Sequence, residues 1–372
     1  MEYTCLEKLG ARPSRLGFGC MRFPITPEGA IDEPRALAML DLAYRSGVNY
    51  FDTAHFYHQR TSEAFVGRAL KAYPRDTFYL ATKLPMAIIT SLEQAKEIYE
   101  GQFEKLQVTY FDFYLLHAMN AERWEMAVNS GIVAFLEEQQ RLGRIRHLGF
   151  SFHDSYEVFE RMLTARDWDF CQIQFNYMDT QIQAGMKGYE LATRMGVPVI
   201  VMEPVKGGSL ATLSEDIAAR MRAVHPDWSL ASWAMRWVAG LENCRVILSG
   251  MSDEAQVRDN LNTFSHLEPL GEIERRTIDE VREAIRARVF VGCTACRYCM
   301  PCPFGVDIPE NFRIMNDFAM YSNRRHLVQA WKDMEDAERA DRCRRCGKCE
   351  QVCPQGIPIR EKLAEIARSV QA

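Results

Sequence analysis

Eight short apolar runs rich in β-forming residues recur along the first 250 residues: Leu16–Met21, Val48–Asp52, Phe78–Lys83, Asp112–His117, Ile145–Ser151, Phe170–Gln174, Val197–Glu203 and Val246–Gly250. They lie roughly thirty residues apart, with amphipathic stretches such as LEQAKEIYEGQFEKL and GIVAFLEEQQRLG between them. Near-continuous apolar strands alternating with helices describe a parallel sheet covered on both faces. Eight such units favour an α/β fold closed into a (β/α)8 TIM barrel over an open doubly wound sheet. No strand-turn-helix GxGxxG opens the first unit, because GFGCMR has the wrong spacing, so doubly wound nucleotide binding is the weaker reading.

Beyond the eighth run the pattern changes. Residues 272–288 (EIERRTIDEVREAIRAR) read as a charged amphipathic helix closing the barrel, and a cysteine-rich module with helical patterns comes after it. Two domains are therefore expected, a barrel over 1–285 and a small, mainly helical domain over 286–372. Of the twelve cysteines, eight crowd into 293–353, whereas Cys5, Cys20, Cys171 and Cys244 are scattered and read as small buried hydrophobes. A formal net charge of −5 gives no support to nucleic-acid binding. The chain opens without a leader pattern and has no apolar run of membrane-spanning length, so a soluble, cytoplasmic protein with no membrane partner is expected. In a reducing cytosol, crowded cysteines favour metal ligation over disulfides.

The strand ends carry the chemistry. They run out into Arg22, Asp52, Lys83, His117, Ser151, Gln174, Glu203 and Gly250, at the carboxyl ends where barrel enzymes place their active sites. An acid, a lysine and a histidine end three successive units, and Tyr57 follows Asp52 in FDTAHFY. A tyrosine is a poor acid at neutral pH, but a neighbouring ammonium stabilises its phenolate and lowers its pKa. Asp52 can hold Lys83 charged, and a histidine can polarise a carbonyl oxygen or relay a proton. Taken without further context, Asp52 and Lys83 can equally be a buried ion pair and His117 a satisfied core histidine.

FDTAHFY, TKLP and LLHAM, followed in order by RHLGFS, QIQFNY, VIVMEPVKGG and LSGMSDEAQVRDNL, resemble the aldo-keto reductase superfamily over roughly residues 1–285. The resemblance implies that Tyr57 is the general acid for a carbonyl receiving hydride from a nicotinamide. Lys83 and Asp52 would tune Tyr57, and His117 would orient the substrate. Members of the family hold the nicotinamide carboxamide with a Ser-Asn pair and a Gln; Ser151 and Gln172 match, while Phe152 replaces the Asn. Met202 stands for the ring that stacks on the nicotinamide, and Gly250 and Gln256 for the cations that grip the 2′-phosphate of NADPH. Asn260 is retained for the adenine end, and Arg258 is the nearby alternative cation. Losing two cations removes charge-assisted bonds of roughly 1.5–3 kcal/mol each, which shifts the expectation toward NADH. Arg22, Glu203 and the Gly207–Ser209 loop complete the expected cofactor contacts, and the same loops suit a flavin phosphate as well as a nicotinamide. Met21, Phe56, Trp124 and Met126 are expected at an apolar substrate mouth.

Cys293, Cys296, Cys299 and Cys302 form C-x2-C-x2-C-x2-C-P; Cys343, Cys346, Cys349 and Cys353 form C-x2-C-x2-C-x3-C-P. The second is the bacterial ferredoxin run for a [4Fe–4S] cluster, and CPFGVDIP after the first run is echoed by CPQGIPIR after the second. Two clusters are expected, with the fourth cysteine of each run ligating the other run's cluster. Zinc is the alternative, although three cysteines in one loop plus Cys-Pro is not the usual pair of knuckles. The expected function is a carbonyl or alcohol oxidoreductase whose clusters exchange electrons with the site or with a ferredoxin-type carrier. An ordinary nicotinamide-dependent reductase with structural clusters is the first alternative. An electron-transfer or redox-sensing subunit with a vestigial tetrad is the second.

Overall fold

In a computed structural model the eight runs are the eight strands of one closed parallel barrel, in chain order around the ring. They are β1 Leu16–Gly19, β2 Tyr50–Asp52, β3 Tyr79–Leu84, β4 Phe111–Met119, β5 Ile145–Phe152, β6 Phe170–Gln174, β7 Val199–Met202 and β8 Cys244–Gly250. Closure comes where β8 returns to β1, with Leu16 beside Ile247 and Gly19 beside Gly250. The structure describes residues 1–371; Ala372, the expected end of the second domain, lies outside them.

Successive residues of a strand face opposite sides, so every second residue points into the barrel. The interior is plugged by Tyr50, Ala81, Phe113, Leu115, Phe170, Ile200, Val246 and Leu248. Phe113 meets Tyr50 and Phe170 edge-on at 5.0 and 5.1 Å, a geometry that adds about 0.5–1.5 kcal/mol per pair beyond burial. Small residues make room for these rings. A Cβ on Gly149 would come within 2.6 Å of the Phe170 carbonyl, and one on Gly17 within 2.7 Å of Leu248. The outward residues of the strands pack under the helices in a second, larger apolar layer that includes Phe18, Phe51, Leu80, Tyr114, Phe150 and Val201. Two amphipathic stretches fold as the period demands, Leu92–Leu106 with Ser91 as its N-cap and Ile132–Arg141. Of the scattered cysteines, Cys20, Cys171 and Cys244 are buried as expected, but Cys5 is exposed in the turn ahead of β1.

The chain divides into two compact units: Met1–Val205 with Ser232–Leu270, and Lys206–Ala231 with the chain from Gly271 onward. The helix Glu272–Arg286 thus groups with Glu215–Val224, against which it packs, in the second unit. Arg288 bonds both Ser214 and Asp216 there. The second unit is helical. Ile308–Tyr321, capped by Asp307, packs with Arg324–Asp333 and Ile359–Gln371 around Val306, Phe312, Leu363 and Ile366. Asn311 ties its parts together: its amide donates to the carbonyls of Asp307 (2.7 Å) and Glu338 (2.8 Å) and accepts from the Ala340 N–H. Among the described residues no helix is long and apolar enough to cross a membrane.

Candidate active site

Strand alternation builds the candidate site directly on the barrel plug. Asp52, Lys83, His117, Ser151, Gln172, Met202 and Gly250 each lie two residues beyond Tyr50, Ala81, Leu115, Gly149, Phe170, Ile200 and Leu248, respectively. Each therefore continues the inward-facing row at the carboxyl end of its strand.

Lys83 is wholly buried. Its Nζ donates to Asp52 Oδ1 at 2.6 Å, to the Thr53 carbonyl at 2.8 Å and to the Tyr57 hydroxyl at 3.3 Å. Burial alone would push this ammonium down, but the Asp52 carboxylate and the Tyr57 oxygen together carry it above its ordinary value. Burial raises Asp52, with Lys83 pulling it back. Tyr57 differs from the sequence expectation. Lys83 does lower its pKa, yet burial, helped by Asp52, wins and raises the phenol above its usual value. His117 lies edge-on to Tyr57, with ring centroids 6.1 Å apart. Burial, followed by the Lys83 charge, holds its imidazole down at about 3, and its Nδ1 is buried without a partner. The tetrad thus contains an ammonium, a neutral phenol and a neutral imidazole at physiological pH.

The cofactor candidates fall into two groups. Ser151, Gln172 and Met202 are neighbours across β5, β6 and β7, Ser151 being in register with Gln172. Gln172, 1 % exposed, donates to the Met202 sulfur at 3.4 Å, and its Oε1 has no partner. An unpartnered buried amide oxygen costs about 1–3 kcal/mol, and a nicotinamide carboxamide N–H is the kind of donor that would relieve it. At Gly250 a Cβ would stand 2.7 Å from Arg22 Cγ, so the glycine lets the exposed Arg22 side chain lie against the end of β8.

The other candidates serve the fold. Gln256 accepts from the Ser252 N–H at 2.8 Å while its own N–H bonds Asp253, a reciprocal cap on the helix Glu254–Ser265. Asn260 is buried and donates to Ser249 Oγ at 2.8 Å. Arg258 is paired with Glu254. Glu203 follows β7 in a left-handed conformation, and its carbonyl accepts from Asn176. Gly207 is exposed and left-handed and belongs to the second unit. Around the expected mouth, Phe56 lies 6.1 Å from the His117 ring and Met21 is exposed, whereas Trp124 is buried against Trp168 as a packing residue.

Sequence reasoning missed two features. Ala118, directly after His117, takes a left-handed φ of 52° where β4 is irregular against β5. Its N–H donates to Ser151 Oγ at 2.7 Å and its carbonyl accepts from Arg123, so both neighbours fix the turn that aims His117. Behind the tetrad, Glu63 is buried, accepting from Thr82 and Gln102. His55 lies 3.9 Å from it with both ring nitrogens unpartnered. The only signal for either was proximity to the FDTAHFY and LLHAM motifs.

The eight cysteines form two loops of one backbone design. In the first, Ala295 and Arg297 are left-handed and the Ala295 N–H points to Cys293 Sγ; in the second, Arg345 and Gly347 are left-handed and the Arg345 N–H points to Cys343 Sγ, each at 3.4 Å. Each Cys-Pro ends in the same turn, Gly305 bonding Cys302 and Gly356 bonding Cys353, six residues ahead of the helices at Ile308 and Ile359. Cys293, Cys296, Cys299 and Cys353 line one cleft. Among the described residues no three donors converge on a point as the ligands of a single ion do. A [4Fe–4S] cubane takes one thiolate per iron, which four cysteines lining one cleft can supply.

A parallel (β/α)8 barrel that carries Asp, Tyr, Lys and His on its carboxyl-end layer defines a class of oxidoreductase. Residues 15–283 match the Aldo/keto reductase family, and residues 292–357 match the 4Fe-4S dicluster domain. The chain belongs to the aldo/keto reductase family and carries a C-terminal 4Fe-4S domain. It is 25% identical over 308 residues to L-galactose dehydrogenase of Arabidopsis thaliana, covering 77% of this chain and 94% of that one. It is 24% identical over 317 residues to the NADH-specific methylglyoxal reductase of Escherichia coli, covering 73% and 95%. Among solved structures, an aldo-keto reductase of Bacillus halodurans in its holo form superposes with a TM-score of 0.64 at 27% identity, over 76% of this chain and 96% of that one.

Proposed function

We propose that this chain oxidises or reduces a small carbonyl or alcohol substrate in a domain spanning 1–285, and that the domain spanning 286–372 holds two [4Fe–4S] clusters. In this reading the clusters exchange electrons with the barrel site or with a ferredoxin-type carrier. One observation carries the barrel half: Lys83 Nζ joins Asp52 Oδ1 and the Tyr57 hydroxyl in the layer where His117 Nδ1 and Gln172 Oε1 are buried without partners.

Tyr57 holds the proton. Burial keeps its phenol neutral, so the hydroxyl is a donor throughout the neutral range. Lys83, 3.3 Å away, stabilises the phenolate left behind as the proton moves to the carbonyl oxygen. Asp52 and the Thr53 carbonyl hold that ammonium in place. His117, neutral and aimed by the Ala118 turn, orients the carbonyl oxygen through a ring nitrogen. Gln172 and Ser151 would receive a carboxamide, and Arg22, Met202 and Gly250 would lie along the rest of a dinucleotide. A nicotinamide bound there supplies hydride, and iron–sulfur clusters supply single electrons. Exchange between the two needs a group that splits an electron pair, for which a flavin is the candidate.

Among nicotinamides, NADH is favoured. Gln256 stands uncharged where a phosphate-gripping cation would, and Arg258 is shared with Glu254 in an exposed pair. A relative named as NADH-specific agrees with this.

Tyr57→Phe and Cys346→Ala test the two halves on one anaerobic, iron-loaded preparation. Tyr57→Phe should abolish carbonyl turnover with iron content unchanged. Cys346→Ala should abolish turnover with an electron carrier while the barrel melts as before. Turnover retained in Tyr57→Phe would remove the tetrad from the mechanism, and activity lost only in step with stability in Cys346→Ala would make the clusters structural.

A further inference from the structure

The two cysteine loops share a backbone and differ in charge. In the first, the one cation, Arg297, is bound to Asp307 at 3.2 Å, and the exposed side chain is Tyr298 at 70 %. In the second, Arg344, Arg345 and Lys348 are all exposed, Cys346 is exposed among them, and none of the three cations has an ion-pair partner among the described residues. Asp341 and Glu350, the acids within 341–350, are already taken: Arg342 stands 4.0 Å from the first and Arg360 2.6 Å from the second.

The first loop reaches the same left-handed conformations and the same N–H···S contact without free cations. Three positive charges without an ion-pair partner are therefore not needed to fold a loop of this kind. Confined to one short turn, they raise the local potential above that of a chain whose overall charge is −5. We propose that the exposed face of the second loop, formed by Arg344, Arg345 and Lys348 around Cys346, is the docking surface for an acidic one-electron carrier protein. This rests on the reading of the eight cysteines as cluster ligands. The first loop, neutralised and aromatic at its exposed tip, does not attract such a partner.

The test uses full-length, iron-loaded protein under anaerobic conditions, with a purified acidic [2Fe–2S] ferredoxin as the probe and a basic cytochrome c of similar size as the counter-probe. Binding is followed by titration calorimetry at low and high salt. The ferredoxin should bind, weaken steeply between about 50 and 500 mM salt, and lose roughly tenfold or more in affinity in R344E/R345E/K348E. R297E, in the first loop, should change affinity less than twofold, and the cytochrome should not bind. The neutral pair R344Q/K348Q, with iron content and visible absorbance equal to wild type, should weaken binding severalfold, so a folding defect in the triple variant cannot imitate the result. Equal affinity in R344Q/K348Q and wild type, salt-insensitive binding, or no ferredoxin binding at all would each overturn the proposal. If the proposed exchange between barrel and clusters is wrong instead, nicotinamide will leave the clusters unreduced while salt-dependent ferredoxin binding persists.

Discussion

Lys83→Met asks most of the barrel. The ion pair it breaks is almost fully desolvated, Lys83 being 0 % and Asp52 2 % exposed with 2.6 Å between them. Methionine removes the ammonium and preserves most of the volume, so packing loss is minor. What remains is a buried carboxylate whose second oxygen already lacks a hydrogen bond. Breaking a buried pair from one side costs about 3–5 kcal/mol, because the surviving charge is uncompensated. The pH dependence gives this cost a signature. Without Lys83, burial raises the folded-state pKa of Asp52 further above its unfolded value, so the folded form binds the proton more readily. The loss is therefore largest at pH 7 and shrinks as pH falls toward 5. Asp52→Asn added to Lys83→Met should recover most of the stability, since no buried charge survives, and none of the turnover. Urea unfolding followed by the fluorescence of the buried Trp233 measures all three proteins. A cost below about 1 kcal/mol at pH 7, or one that does not change with pH, would refute the claim that Lys83 neutralises a desolvated carboxylate.

Gln172→Leu separates function from stability: removing an unpartnered amide oxygen should leave the melting point unchanged or slightly higher, while KM for the nicotinamide rises about tenfold or more. The two depressed histidines, His117 at about 3 and His55 at about 4, imply acid sensitivity. Both are held neutral when folded and titrate near 6.5 when unfolded, so stability is intact above about 6.5 and falls by up to ~1.4 kcal/mol per histidine for each pH unit below it. The activity profile should accordingly show no limb near pH 6.5 that disappears in His117→Gln. Gln256→Arg gives up a cap bond to Ser252 but adds a cation, and should improve NADPH over NADH by about tenfold in kcat/KM.

The eight strands were legible because burial on both faces writes an uninterrupted apolar run, and β6 falls on the expected residues from Phe170 to Gln174. The tetrad was legible because strand ends expose side chains at fixed intervals. What escaped depends on contacts between distant residues. Nothing local marks Ala118 as left-handed, since Ser151 and Arg123 impose it from β5 and from the following helix. The Tyr57 shift runs opposite to expectation for a similar reason. A motif shows the ammonium beside the phenol, but the depth of burial that outweighs it belongs to the assembled barrel. Gln256 and Asn260 sit at family positions, yet Gln256 closes its helix start with Ser252, while Asn260, in mid-helix, bonds Ser249 of β8. Cys5 reads like the other scattered cysteines and is nonetheless exposed.

The proposed exchange of electrons between barrel and clusters is read directly from anaerobic absorbance. Protein reconstituted with iron and sulfide is mixed with NADH and then NADPH while the visible band of the clusters is recorded, with iron and released flavin assayed on the same sample. NADH should bleach the band. An unchanged band, alongside nicotinamide-dependent carbonyl reduction by the same sample, would contradict the exchange.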